Sequence, residues 1–154
     1  MERSRAGLTP APPAVTPTGA VEALRASGRR VSAARRLVLE ALFCADGPMS
    51  ADQIADGIGG RVPRSDLTSV YRNLETLEDL GVVAHFHAGH GPGLYTLAGA
   101  GAREYLVCES CGTVCAIDAR ALDPARAVLR ADVGWSARFT HFAMPGTCPA
   151  CADG

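Results

Sequence analysis

At 154 residues the chain has room for one or two small domains and not for two large ones. It is 47% hydrophobic and 20% charged with a net charge of -1, which excludes a globally basic nucleic-acid binder, so any such role needs positive charge gathered locally. No apolar run approaches a membrane span, and residues 1–20 lack the continuous apolar stretch of a secretion signal; a cytoplasmic protein with no membrane partner is expected.

The chain opens on a tail, residues 1–18, with Pro10, Pro12, Pro13 and Pro17 among small residues, a composition that predicts disorder. A short helix over 19–27 closes at Gly28. All fifteen basic residues are arginines, and Arg25, Arg29, Arg30, Arg35 and Arg36 supply the local concentration within twelve residues. Ser32 caps a second helix whose stripe is Ala34, Leu37, Val38, Ala41 and Leu42, with Arg35 and Arg36 pointing elsewhere. After the Gly47-Pro48 turn, Ser50 and Gln53 form a capping box for a helix carrying Ile54 and Ile58, and residues 59–64 make a loop.

Residues 66–81, DLTSVYRNLETLEDLG, read as the helix on which the function turns. Leu67, Val70, Leu74 and Leu77 form its apolar stripe, Asp66 caps its start, and Gly81 supplies a left-handed end. Thr68, Ser69, Arg72, Asn73 and Thr76 fall opposite, with Tyr71 at the edge. One guanidinium, small hydroxyls and an amide suit a helix in a DNA major groove, although an ordinary solvated face has the same look. Three short helices make a helix-turn-helix, and strands at 82–87 and 94–97 joined by the turn 88–93 make a wing. Residues 19–97 are thus expected to be a winged helix, a fold that binds DNA and also serves as a protein-binding module.

Residues 98–102, AGAGA, read as a hinge. Strands at 104–107, 113–117 and 136–143 with a helix at 123–131 then build a small α/β domain over 103–154, giving an α+β protein overall. So small a domain needs a staple or a partner chain. Cys108-x2-Cys111 and Cys148-x2-Cys151, separated by 36 residues, offer four thiolates for a tetrahedral zinc. A redox pair is the competing reading, but neither knuckle opens a helix after a strand. Cys44 reads as a small buried residue; Cys115 reads as core packing or a reactive thiol.

His85 and His87, two apart in a strand, leave one face, while Val82, Ala84 and Phe86 take the other. His90 follows in the turn and His141 lies in the last predicted strand. Paired imidazoles await a third metal ligand, which His141 could supply from across the hinge, so that the metal would fix the angle between the domains; contact with DNA or solvent fits the pair equally. No H-E-x-x-H, phosphate loop or H-x-E beside the cysteines is present, so no enzyme is expected.

Arg30-Val31-Ser32 with Arg35, the run SVYRNLETLEDLGVV at 69–83 and the paired knuckles resemble the ferric uptake regulator family of metal-responsive repressors, over about residues 20 to 152. The resemblance implies a homodimer with an N-terminal winged helix and a C-terminal dimerisation domain, binding double-stranded DNA at an inverted-repeat operator. It places the family's tyrosine-arginine pair on Tyr71 and Arg72, leaves Arg35, Thr68 and Ser69 beside them as DNA-binding candidates, and puts a structural zinc on Cys108, Cys111, Cys148 and Cys151. Where many members carry ligands of another regulatory site, Pro48, Thr96, Arg103, Tyr105 and Ala116 stand here. HFHAGH at 85–90 and His141-Phe142-Ala143 look like the nickel-responsive branch, which implies a second transition metal (nickel, zinc or iron) at His85, His87 and His141, with His90 as an added candidate. A metal-independent regulator, or one with a thiol such as Cys115 sensing oxidation, shares every feature except a working histidine site.

Overall fold

The computed structural model describes residues 15–98 and 103–152, which fall into two compact units. The first unit comprises residues 15–85 and 92–98; the second comprises 86–91 and 103–152. Most of the expected tail and of the expected hinge lies outside the described residues. The end of that tail is ordered: the Thr16 side chain accepts from the Gly19 amide at 3.0 Å and caps α1, Pro17–Ala26, with Pro17 in the first turn where its missing N–H costs nothing.

In the first unit α1 is followed by α2 (Ala33–Cys44), β1 (Met49–Ser50), α3 (Ala51–Asp56) and α4 (Leu67–Asp79). Strand β2 (Val83–His87) and β3 (Gly93–Leu97) form the hairpin, and β3 also pairs with β1, a two-residue strand too short to show in the periodicity. Ser32 and the Ser50/Gln53 capping box start α2 and α3 as expected. The core gathers Leu24, Val38, Ile54, Val70, Leu74, Leu77 and Val83, none more than 2% exposed. Burying several such side chains at about 1.5–3 kcal/mol each is what holds these short helices, which are marginal alone.

Three expectations for this unit are corrected. Ile58 is not helical, because α3 ends at Asp56 and Ile58 instead exchanges backbone hydrogen bonds with Val62 at 2.8 and 2.9 Å. Leu67, in the first turn of α4, is 37% exposed rather than buried. Asn73 and Thr76 are buried, not on the outer face: Thr76 Oγ1 satisfies itself on the Arg72 carbonyl at 3.0 Å, and Asn73 has partners described below.

Gly57 makes the turn after α3 possible. Its φ of 76° and ψ of -172° suit glycine alone, and a Cβ there would sit 2.3 Å from the Val62 carbonyl oxygen. Gly57→Ala is therefore expected to cost about 1–3 kcal/mol, read as a lower urea midpoint for the full chain; an unchanged midpoint contradicts the assignment.

The second unit is a three-stranded sheet ordered β5-β4-β6, with β4 at Arg103–Cys108, β5 at Val114–Asp118 and β6 at Met144–Gly146. A 3-10 turn at Ala119–Leu122 leads into α5, Asp123–Val133, which Gly134 ends in a left-handed conformation. The strand expected over 136–143 is not formed. The strand beside β4 is instead β6, pairing parallel, while the backbone at 141 and 143 bonds to His87. Phe86, fully buried, stacks on Tyr105 with ring centroids 3.7 Å apart. Beside it Glu104, only 1% exposed, is ion-paired to Arg126, which also lies 5.4 Å from the Phe139 ring centre; the other Glu104 oxygen has no hydrogen-bond partner among the described residues.

Candidate metal centres and recognition helix

The cysteine knuckles are joined by strand register. Parallel pairing sets Cys108 at the end of β4 beside Gly146 of β6, two residues before Cys148, and α6 (Pro149–Ala152) then carries Cys151 round the turn. Gly112, at φ 73°, closes the first knuckle with its amide on the Cys108 carbonyl at 2.8 Å. The sulfurs of Cys108, Cys111, Cys148 and Cys151 all lie within 4.8 Å of one another, and Cys111 and Cys148 are 3.8 Å apart. Zinc–sulfur bonds of about 2.3 Å give tetrahedral edges of about 3.8 Å, so the four fit a closed zinc site with no open position. Amides also prepare the charge: donation from the Cys148, Cys111 and Ser110 backbones lowers the Cys108 thiol to about 6. The neighbouring sulfurs, Cys148 first, push Cys151 up to about 12, since four thiolates this close need a cation among them.

Strand β2 carries His85 and His87 with Phe86 buried between them, the alternation expected of a half-buried strand. The His87 amide donates to the His141 carbonyl at 2.9 Å and the Ala143 amide to the His87 carbonyl at 2.8 Å, which brings the His87 and His141 rings to 5.2 Å. His87 and His141 thus stand together in the second unit, whereas His85 belongs to the first. His90 is exposed in the turn. Sequence reasoning passed over Glu78, on the last turn of α4, whose carboxylate contacts His85 Nδ1; its position seven residues upstream gives no motif that would flag it.

On α4 the Asp66 carboxylate accepts from the Ser69 amide at 2.8 Å, and Thr68, Tyr71 and Arg72 are exposed. Ser69 is half-buried. Arg35 is engaged internally: its Nε donates to Asn73 Oδ1 at 3.0 Å and its Nη1 to the Arg30 carbonyl, while Asn73 Nδ2 donates to the Ser69 carbonyl at 2.8 Å. Arg35 thus braces α2 against α4, a contact across 38 positions that a linear reading misses.

A sequence model of the ferric uptake regulator family matches residues 26–141, three quarters of the chain. The chain belongs to the ferric uptake regulator family. It is accordingly a metal-responsive DNA-binding regulator and not an enzyme. Among relatives of this regulator, the zinc uptake regulation protein of Mycobacterium tuberculosis is 27% identical over 128 residues, covering 83% of this chain and 98% of its own. Among solved structures, the ferric uptake regulator Fur of Helicobacter pylori superposes with a TM-score of 0.71 at 20% identity, over 93% of this chain and 98% of that one. A zinc uptake regulator solved with zinc and DNA superposes with a TM-score of 0.59 at 24% identity, over 89% and 93%. These likenesses carry the fold; no helix among the described residues is long and apolar enough to cross a membrane.

Proposed function

We propose that this regulator is a homodimeric repressor that reads an inverted-repeat operator with α4, holds a structural zinc on its four knuckle cysteines, and changes its DNA affinity when a transition metal binds His85, His87 and His141. The reading is carried by His85 and His87 on one strand and by the backbone bonding of His87 to the His141 carbonyl. Neutral nitrogen ligands with one or two open positions suit nickel, zinc or iron rather than magnesium or calcium, and the absence of a thiolate disfavours copper(I). The zinc-and-DNA-bound relative supports the DNA partner. The apolar side chains of α5 and the residue after its cap, Val128, Val133 and Trp135 at 57%, 60% and 72% exposed, support a partner chain in the dimer. A thiol sensor at Cys115 is disfavoured, because burial raises that thiol and so reduces its reactive thiolate.

The test is a titration of the full chain, cysteine zinc retained, against an operator selected from random duplexes, with nickel, zinc, iron or manganese added or chelated. One metal is expected to change affinity about 5- to 150-fold, and binding should fall steeply with salt. Indifference to every metal returns the metal-independent reading. In the same assay Arg72→Ala is expected to lose about 1–3 kcal/mol on the selected site. An equal loss on random DNA would make Arg72 a phosphate contact only.

A further inference from the structure

Arg35 begins α2, where its amide donates to the Ser32 cap at 3.2 Å. That first turn holds two arginines, Arg35 and Arg36, and no acidic residue. Cations at a helix start face the positive end of the macrodipole, so the arrangement calls for an anion and has none of its own. Arg35 is half-buried, and both partners of its side chain are neutral: Asn73 Oδ1 on Nε and the Arg30 carbonyl on Nη1. Two of a guanidinium's five donors are thereby used, and the others have no hydrogen-bond partner among the described residues. Arg64, Arg120 and Arg126 each meet a carboxylate. Arg35 meets none among the described residues, although a charge drawn into a protein is normally paired.

Asn73 holds this fork without discharging it. Its amide has one possible orientation, because Nε of Arg35 can only donate and the Ser69 carbonyl, 2.8 Å from Nδ2, can only accept. Buried on α4, the Asn73 side chain is a neutral brace; an aspartate of the same shape would grip Nε as well and cancel the charge. We propose that Arg35 seats a backbone phosphate of the DNA and that Asn73 is its positioning residue, fixing the guanidinium while leaving its charge for the phosphate. The inference rests on the DNA-binding reading above. Thr68, Tyr71 and Arg72, exposed on the helix that carries Asn73, then share one rigid frame with the phosphate contact. Such a contact carries no sequence information; it sets the register of α4 on the duplex.

The experiment measures DNA affinity of the full-length parent, Asn73→Asp, Arg35→Gln and Arg35→Lys on the selected operator and on a random duplex over a series of salt concentrations. The metal condition is the one in which the parent binds most tightly, and circular dichroism with urea midpoints follows the fold of each variant. Asn73→Asp and Arg35→Gln are expected to weaken binding about tenfold or more on both duplexes and to lower the salt slope by about 0.9 per chain. Arg35→Lys, which keeps the charge without the fork, should retain the parent's slope and lie between in affinity. A brace alone predicts the reverse for Asn73→Asp, since a carboxylate binds a guanidinium more strongly than an amide does. Parent-like affinity and slope in folded Asn73→Asp and Arg35→Gln would overturn the proposal and leave Arg35 a brace, with the DNA-binding reading intact. A loss in Arg35→Gln but not in Asn73→Asp would remove the role of Asn73. A loss confined to the operator would overturn the phosphate contact by making Arg35 a base reader. Should Asn73→Asp fail to fold, equal slopes for Arg35→Gln and Arg35→Lys would overturn it instead. A parent that binds neither duplex would remove the DNA-binding reading, and this inference with it.

Discussion

Cys108→Ser or Cys148→Ser is expected to abolish zinc binding and, with it, the fold of the second unit and the dimer. A structural zinc contributes on the order of 10 kcal/mol of apparent binding free energy near neutral pH, and that free energy is available only to the folded chain. The second unit has little to replace it. Among its described residues the buried apolar side chains are Phe86, Tyr105, Cys108 and Ala143, and every residue of α5 is at least partly exposed. Zinc content by elemental analysis should drop from about one per chain to near none, with the dimer peak lost from size-exclusion chromatography. A zinc-free variant that still elutes as a folded dimer contradicts this account of what stabilises the unit.

The second large effect concerns regulation without loss of structure. His87→Ala or His141→Ala is expected to erase the metal-dependent part of DNA affinity, about 5- to 150-fold, while cysteine zinc, circular dichroism and dimer mass stay as in the parent. The separation is expected because the two hydrogen bonds from residue 87 to residues 141 and 143 are made by backbone atoms, which alanine retains. Parent-like metal response in both variants would mean that sensing resides elsewhere in the chain.

Much of this was legible in the sequence, where the signals are local. Ser32, Ser50 with Gln53, and Asp66 announce their helices because a cap spans only the four positions from the cap residue to the third helical residue, and the structure shows each of those hydrogen bonds. The cysteine spacing pointed to four convergent sulfurs because a metal tolerates few geometries. What failed was decided at long range. Residues 136–143 alternate well enough for a strand, but of them only Phe142 forms a bridge, to His87, and it is Met144–Gly146 that pairs with β4. Asn73 looked like a groove-facing amide until Arg35, from a different helix, gave it a reason to be buried. Glu78 went unread because helix periodicity assigns it only a flank, and its partner belongs to the wing.

The pairing of Glu104 with Arg126 sets a boundary on what the protein can feel. Glu104 is the one charged side chain buried among the described residues, and its counter-ion is part of the chain. A guanidinium keeps its proton throughout the range in which proteins stay folded, and no chelator can withdraw it. Starving a cell of metal therefore leaves this carboxylate neutralised, whereas a site filled by a free cation would be stripped. In the proposed function, scarcity would reach the molecule instead through the cysteine and histidine centres.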